Sequence, residues 1–284
     1  MKAHNETLTH FRTTVMRLAL WNLQFKRILF GVHKIKSRKY RKYQNLIRKI
    51  VNSNIVGRLI LFFVQSPGAV RFQEYFYVFE TVQPNKFLLE IGSGFSCFPS
   101  FVARYKGIDV ISLDINKDAI RESHEASKKM HGHVSSRMHF IIAGAQNLPF
   151  RDASIPQICS VSVLEHIQND RSSSAEIGRV FSHQGLCCIT LRYSCIPRRP
   201  HYLSDGTYER FYTESEIKTR IVAESRLDLK HSRLIDKRFT FIIFKLLRFV
   251  NPQENLILAL LARKLDVMFL KTSKDAGGIV LTIK

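Results

Sequence analysis

Three short stretches of the chain carry residues whose types and spacing could do chemistry. In "FLLEIGSGFSCF" (residues 87–98), Glu90 precedes a turn in which Gly92 and Gly94 flank Ser93. Two glycines so placed let the backbone turn sharply and leave room for a ligand to approach it. Asp114 follows twenty residues after Gly94, at the end of "VISLDIN", where an acid can accept from both ribose hydroxyls. A dinucleotide turn would want a third glycine at position 97, and Cys97 stands there. A carboxylate at Glu90, within about 4–6 Å of a pyrophosphate, would also repel it. The same carboxylate favours an ammonium or a sulfonium. The third stretch, "VLEHI", sets Glu165 and His166 just past another apolar run. A histidine titrates near neutrality and can take a proton from a nucleophile.

The elements around these residues alternate. "KFLLEIG", "DVISLDIN", "MHFIIAGA", "QICSVSVL" and "LCCITLRYS" read as strands. Between them "CFPSFVARYKG", "KDAIRESHEASKKMHG" and "SSSAEIGRVFSHQG" have helical character. "TESEIKTRIVAES" adds a helix opened by a Thr-x-x-Glu capping box, "LDLKHSRLI" reads as a strand, and "GGIVLTIK" as the last one. Such alternation predicts an α/β fold with a doubly wound, mostly parallel sheet. Its ligand crevice lies at the carboxyl ends of the strands, near the first. A cation beside the first strand and a ribose beside the second describe S-adenosylmethionine better than NAD.

The ends of the chain have another character. The 284 residues carry a net charge of +21, of which residues 1–50 supply +12, residues 51–160 +2 and the remainder +7. The basic arm includes two or three amphipathic helices between about Thr14 and Val64, and a short aromatic helix in "VRFQEYFYVFETV" leads into the first strand. Such an arm suits polyanions: nucleic acid, anionic lipid or a phosphorylated substrate. Residues 1–84 are expected to form a basic helical arm and lid, and 85–284 the main domain. An apolar, basic helical insert occupies about 237–274. The five cysteines form no CxxC pair and no metal-ligand spacing, so no metal site is expected and a reduced cytoplasmic setting fits best. No signal peptide or bilayer-spanning run is expected, which leaves peripheral attachment at an anionic membrane surface.

Taken together and in order, "LLEIGSGFS", "VISLDIN", "AGAQNLPFRDASIPQICSVSVLEHI" and "AEIGRVFSHQGLCCITL" resemble the motifs of class I S-adenosylmethionine-dependent methyltransferases. The nearest likeness is to the broad methyltransferase type 11 group that includes the ubiquinone/menaquinone-biosynthesis-like enzymes. It covers about residues 85–230. The resemblance implies a Rossmann-like, seven-stranded sheet with the helical arm before it and the helical insert before its last strand. It also implies S-adenosyl-L-methionine as cofactor. Glu90, Gly92, Ser93 and Gly94 would line the methionine end, and Asp114 would hold the ribose. Ile115 would pack on the adenine, with Ala145, Gln146 and Asn147 near its edge, and Ser162 completes the cofactor-contacting set. The sequence departs from the family at three places. Gly144 stands where an acid usually accepts from the adenine amino group, a task Gln146 or a backbone carbonyl would take over. "DASIPQ" replaces a D-x-x-F-D pattern, and His183-Gln184-Gly185 replaces P-G-G.

The expected function is methyl transfer to a small-molecule, lipid-linked or glycan acceptor, with His166 as the candidate base. Tyr75, Tyr77, Tyr193, His201 and Tyr208 are candidates for the acceptor pocket or for the core, and His131 and His133 are expected at an exposed helix end. An RNA or protein methyltransferase that uses the basic arm is the second reading. A fold that binds S-adenosylmethionine without catalysis is the third. No RNA-binding module signature is evident, so nucleic acid is the less favoured partner.

Overall fold

The computed structural model describes residues 69–94, 96, 98–130, 136–203, 206–236 and 276–283. The basic arm, the insert, Cys97, His131 and His133 lie outside these residues.

Helix α1 (Ala69–Thr81) precedes strand β1 (Leu88–Ile91), and then come α2 (Phe98–Lys106), β2 (Val110–Asp114), α3 (Lys117–Met130) and β3 (Met138–Ile142). After β4 (Ile155–Val161) the chain makes a 3-10 turn (Leu164–His166) and enters α4 (Asp170–Val180), then β5 (Phe181–Leu191). A two-stranded hairpin, β6 (His201–Tyr202) with β7 (Tyr208–Glu209), precedes helix α5, built from Glu214–Glu216, a π-helical stretch Ile217–Val222 and Ala223–Ser225. Strands β8 (Leu229–Asp236) and β9 (Ala276–Ile283) complete the sheet.

Seven strands line up in the order β3-β2-β1-β4-β5-β9-β8. All neighbouring pairs from β3 to β5 are parallel, and β9 runs antiparallel to both β5 and β8. The strand order reverses beside β1, between β1 and β4, which opens a crevice at their carboxyl ends. This is the doubly wound sheet expected from the alternation.

Two apolar layers cover the sheet. Leu88, Cys159 and Cys188 pack with Tyr75 and Val78 of α1 and Phe98 and Phe101 of α2. Leu89, Ile91, Ile158 and Cys187 face α4 and α5 through Ile177, Val180, Ile217 and Ile221. Alternate residues of one strand therefore feed opposite layers. Burial drives the thiols of Cys159 and Cys187 far above their usual range and that of Cys188 up to about 12, so all three behave as small core hydrophobes.

Some boundaries differ from the sequence reading. The helix expected over 172–185 starts at Asp170, behind the N-cap Asn169, and ends at Val180. Phe181 takes an extended conformation and pairs with Ile155, so residues 181–185 join β5. Gly185 is needed there because a Cβ would sit 2.5 Å from the Phe181 ring and 2.7 Å from the Pro156 carbonyl. Leu164 leaves the fourth strand for the 3-10 turn. Gln157, standing where the family has an acid, is buried and staples the α1–β1 connection: it accepts from Gln83 N at 2.7 Å and donates to Gln83 O and Lys86 O. The capping box forms as read, between Thr213 and Glu216. Among the described residues, no helix is long and apolar enough to cross a membrane.

Gly178 sets the closest approach of α4 to α5. A Cβ on it would lie 1.9 Å from the Ser225 carbonyl oxygen, a backbone atom that a rotamer change cannot move. Gly178→Ala should therefore destabilise the domain by about 3 kcal/mol, lowering Tm by roughly 6–12 °C for a domain of this size. Thermal unfolding checks it, and an unchanged Tm would show that the two helices separate freely.

Candidate active site

The crevice at the end of β1 is built by its glycine turn. Gly92 has φ +73° and Gly94 φ +50°, the left-handed region that favours glycine. A Cβ on Gly92 would also sit 2.4 Å from a Val163 methyl, so the turn after β1 and the chain after β4 touch at this point. Gly92 N and Ser93 N both donate to Leu113 O, at 2.8 and 3.1 Å. Gly94 N donates to Asp114 Oδ2 at 2.7 Å, and Asn116 N to Oδ1 at 2.8 Å. Ser112 Oγ donates to Ser93 Oγ, and Ser123 Oγ to Gly94 O. Each Asp114 oxygen keeps a second lone pair that a hydroxyl can use.

Beside Asp114, Ile115 is 73% exposed and presents an open apolar surface. The loop after β3 forms the opposite wall. Ala143 N donates to Asp114 O, and Asn147 N to Gly144 O. A Cβ on Gly144 would lie 3.6 Å from both Gln146 Oε1 and the end of the Ile115 side chain. The Gln146 carbonyl thus stands next to the position of the absent acid. Helix α4 holds this loop: Glu176 accepts from Leu148 N, and Arg179 reaches Glu176, Asp152 and the carbonyls of Leu148 and Phe150. Hydrogen bonds from the Arg179 side chain, then the Leu148 backbone, hold the Glu176 carboxyl below its usual range despite some burial.

Glu90 is buried on the α1–α2 side of the sheet, in register with Ser112 on β2 and Cys159 on β4. It sits one residue back from the strand end. A second enclosed acid, Glu74 of α1, accepts from Ser162 Oγ at 2.8 Å. Ser162 has φ +51°, and its N–H is held by Thr190. The neighbouring Tyr75 stacks on Phe98 and shares a 2.8 Å hydrogen bond with Ser96 Oγ in the glycine turn. Helix α1 therefore bridges the turn after β1 and the end of β4. The sequence offers Tyr75 as a candidate but not Glu74. The signal was an acid inside the aromatic run "RFQEYFYVF".

The turn after β4 carries His166, which is half-buried. Its Nδ1 lies 2.8 Å from the Tyr208 carbonyl. A carbonyl only accepts, so Nδ1 carries the proton and the neutral ring keeps its lone pair on Nε2. Residues 208–212 strap this turn down. Arg210 N donates to Glu165 O, and Tyr212 OH to Leu164 O. Behind the strap, Asp170 is fully buried and accepts from Arg210, Tyr212 and Arg220. The period-two spacing of Tyr208, Arg210 and Tyr212 hints at an extended segment, but the acid that Arg210 and Tyr212 bind is 40 and 42 residues away in sequence and gives no local sign.

With this geometry in place, comparison with known proteins is informative. Residues 89–189 match a family model described as a methyltransferase domain. That span marks a methyltransferase domain within the chain. The matched span runs from β1 into β5 and contains the glycine turn, Asp114, the loop after β3 and the turn after β4. Among solved structures, geranyl diphosphate C-methyltransferase from Streptomyces coelicolor A3(2) is similar at 9% identity and TM-score 0.56 (75% of this chain, 76% of that one). An S-adenosylmethionine-dependent methyltransferase from Mesorhizobium loti gives 13% and 0.53 (76% and 98%). The [4+2]-cyclase SpnF gives 16% and 0.56 (75% and 80%). At such identities the likeness carries the fold alone, and the cyclase shows that the fold hosts other chemistry. No curated protein matches the chain significantly.

The residues of the crevice would fit S-adenosylmethionine: Asp114 offers two acceptor oxygens, Ile115 an apolar face, Gln146 a further acceptor, and Glu90 and Glu74 enclosed carboxylates. The turn after β4 rests on Asp170 through the strap that holds it. Burial would raise that carboxyl, but hydrogen bonds from Arg220 and Tyr212 and the two guanidinium charges bring it below the usual range. A carboxyl with a lowered folded pKa stabilises the fold above its unfolded value, about pH 4, and loses that effect as pH falls through the folded value. Asp170→Asn, which removes the carboxylate that both arginines bind, should cost about 3–5 kcal/mol at pH 7. Urea unfolding should show the gap to wild type closing below about pH 4. A gap independent of pH would remove the ion cluster from the account.

Proposed function

We propose that the enzyme transfers a methyl group to a small-molecule, lipid-linked or glycan acceptor whose nucleophile is a hydroxyl or a protonated amine, with His166 as general base. The observation that supports this reading is the His166 Nδ1–H bond to the Tyr208 carbonyl, which commits Nε2 to accepting a proton.

When bound, S-adenosylmethionine supplies a methyl on a sulfonium, whose leaving group is a neutral thioether. In this reading Asp114 would accept from the ribose hydroxyls, Ile115 would cover one face of the adenine and Gln146 Oε1 would accept from its amino group. Gly92, Ser93 and Gly94 bring the backbone close to the methionine end, and Ala145 completes the wall. Glu90 and Glu74, both on the α1 side of the sheet, would offer negative charge to the ammonium and sulfonium. Ser162 orients Glu74. His166 Nε2 would take the proton that the acceptor's nucleophile gives up on methylation. Alignment supplies much of the rate, an effect worth up to roughly 7–11 kcal/mol, and a positioned base adds about 10²–10⁴-fold.

The test is methyl transfer from labelled S-adenosylmethionine into small-molecule, glycan and lipid extracts. Once an acceptor is found, His166→Gln should lower kcat by about 10²–10⁴-fold and leave cofactor binding unchanged. A kcat within a few-fold of wild type would assign His166 to holding its loop.

A further inference from the structure

We propose that the segment Ser194–Leu203, with the β6–β7 hairpin that supports it, is a docking surface for an anionic lipid bilayer beside the acceptor side of the active site. The proposal rests on the reading that the acceptor approaches the turn after β4. The segment reads "SCIPRRPHYL": two arginines, a histidine and no acid. Residues 195–203 are all exposed. Among the described residues, seven large apolar side chains are exposed, and three of them, Ile196 (59%), Tyr202 (62%) and Leu203 (37%), fall within these nine positions. Ile115 belongs to the cofactor crevice, so this segment is the densest apolar projection away from it.

The projection is built, not loose. Ser194 N donates to Tyr212 O and Ser194 Oγ to Ile196 O. His201 and Tyr202 pair with Glu209 and Tyr208, and Leu203 is tied to both Thr207 and Gly206. Arg198 lies over the Phe211 ring at 4.9 Å, and the His201 ring stacks on the same ring. Glu209, the acid at the base, is buried and faces Arg192 at 3.2 Å and His201 at 3.7 Å. The outer face thus combines cations with Ile, Tyr and Leu held outward. Arginine and tyrosine suit an interface where one end is apolar and the other wet. A nucleic acid would use the cations but leave Ile196 and Leu203 in water.

The position gives the surface a use. Gln168 Nε2 donates to Tyr202 OH at 2.6 Å, and the Tyr208 carbonyl holds His166. A bilayer seated on the hairpin would lie next to the histidine turn, where a lipid-held acceptor would present its headgroup.

The basic arm would itself bring the chain to anionic vesicles, so the test must be local. Among the described cysteines only Cys195 is exposed, and it lies on this segment. The full-length protein is treated with a water-soluble maleimide, and modification at Cys195 is followed by peptide mass spectrometry. Phosphatidylserine-containing vesicles should slow it about tenfold, and phosphatidylcholine vesicles should not. Arg198→Glu with Arg199→Glu should restore the lipid-free rate, since each arginine contributes about fivefold to partitioning onto an anionic surface. An unchanged Cys195 rate on vesicle-bound protein would overturn the proposal, as would protein that remains in the supernatant. Protection by single-stranded RNA instead of vesicles would assign the face to nucleic acid. Calorimetry with S-adenosylhomocysteine on the same samples keeps failure of this surface distinct from failure of the cofactor site.

Discussion

The carboxylate of Asp114 accepts from Gly94 N on one oxygen and Asn116 N on the other, and the crevice is organised around that pair of bonds. One bond fixes the glycine turn after β1, and the other fixes the chain leaving β2. Both donors are backbone groups at a strand end, where no sheet partner remains to satisfy them. The acid therefore shapes the site even before any ribose reaches it. Gly92 makes the same turn compatible with Val163 on the far side of β1. Three strand ends thereby meet at fixed separations, and α4 fixes the fourth wall through Glu176 and Arg179.

The turn after β4 has a separate support. Asp170 gathers two arginines and a tyrosine from the segment after β5 and from α5, and that segment holds the backbone of Leu164 and Glu165. The glycine-turn crevice and the histidine turn thus depend on different buried networks. They share α4, since Asp170 opens that helix and Glu176 and Arg179 lie further along it. A shift of α4 would disturb both halves of the site, and Gly178 determines how closely α5 can sit against it.

Much of this was legible in the sequence because it is local. Apolar runs of strand length, Gly107 closing α2, and the Thr213–Glu216 box all signal within a few residues. Asp114 was legible for the same reason, being set by its distance from the glycine turn. The start of β5 was not, because "VFSHQG" has helical composition and is drawn into the sheet by pairing with Ile155. The hairpin was missed as its strands are two residues each, between prolines and polar residues. Glu74 and the Asp170 cluster escaped because their partners are 88 and 40–50 residues away. Gln157 looked like a loss against the family pattern, and proves to be a buried amide that a carboxylate could not replace, since it donates twice and accepts once.

That the crevice is an S-adenosylmethionine site organised by Asp114 is tested most directly by titration calorimetry of S-adenosylhomocysteine into the wild-type protein and Asp114→Ala, with NAD as control. The account expects binding by the wild type, silence with NAD, and a ten- to hundredfold weaker dissociation constant in the variant, from losing charge-assisted hydrogen bonds worth about 1.5–3 kcal/mol. Equal affinity in the two proteins, or heat from NAD and none from the sulfur ligand, would contradict it.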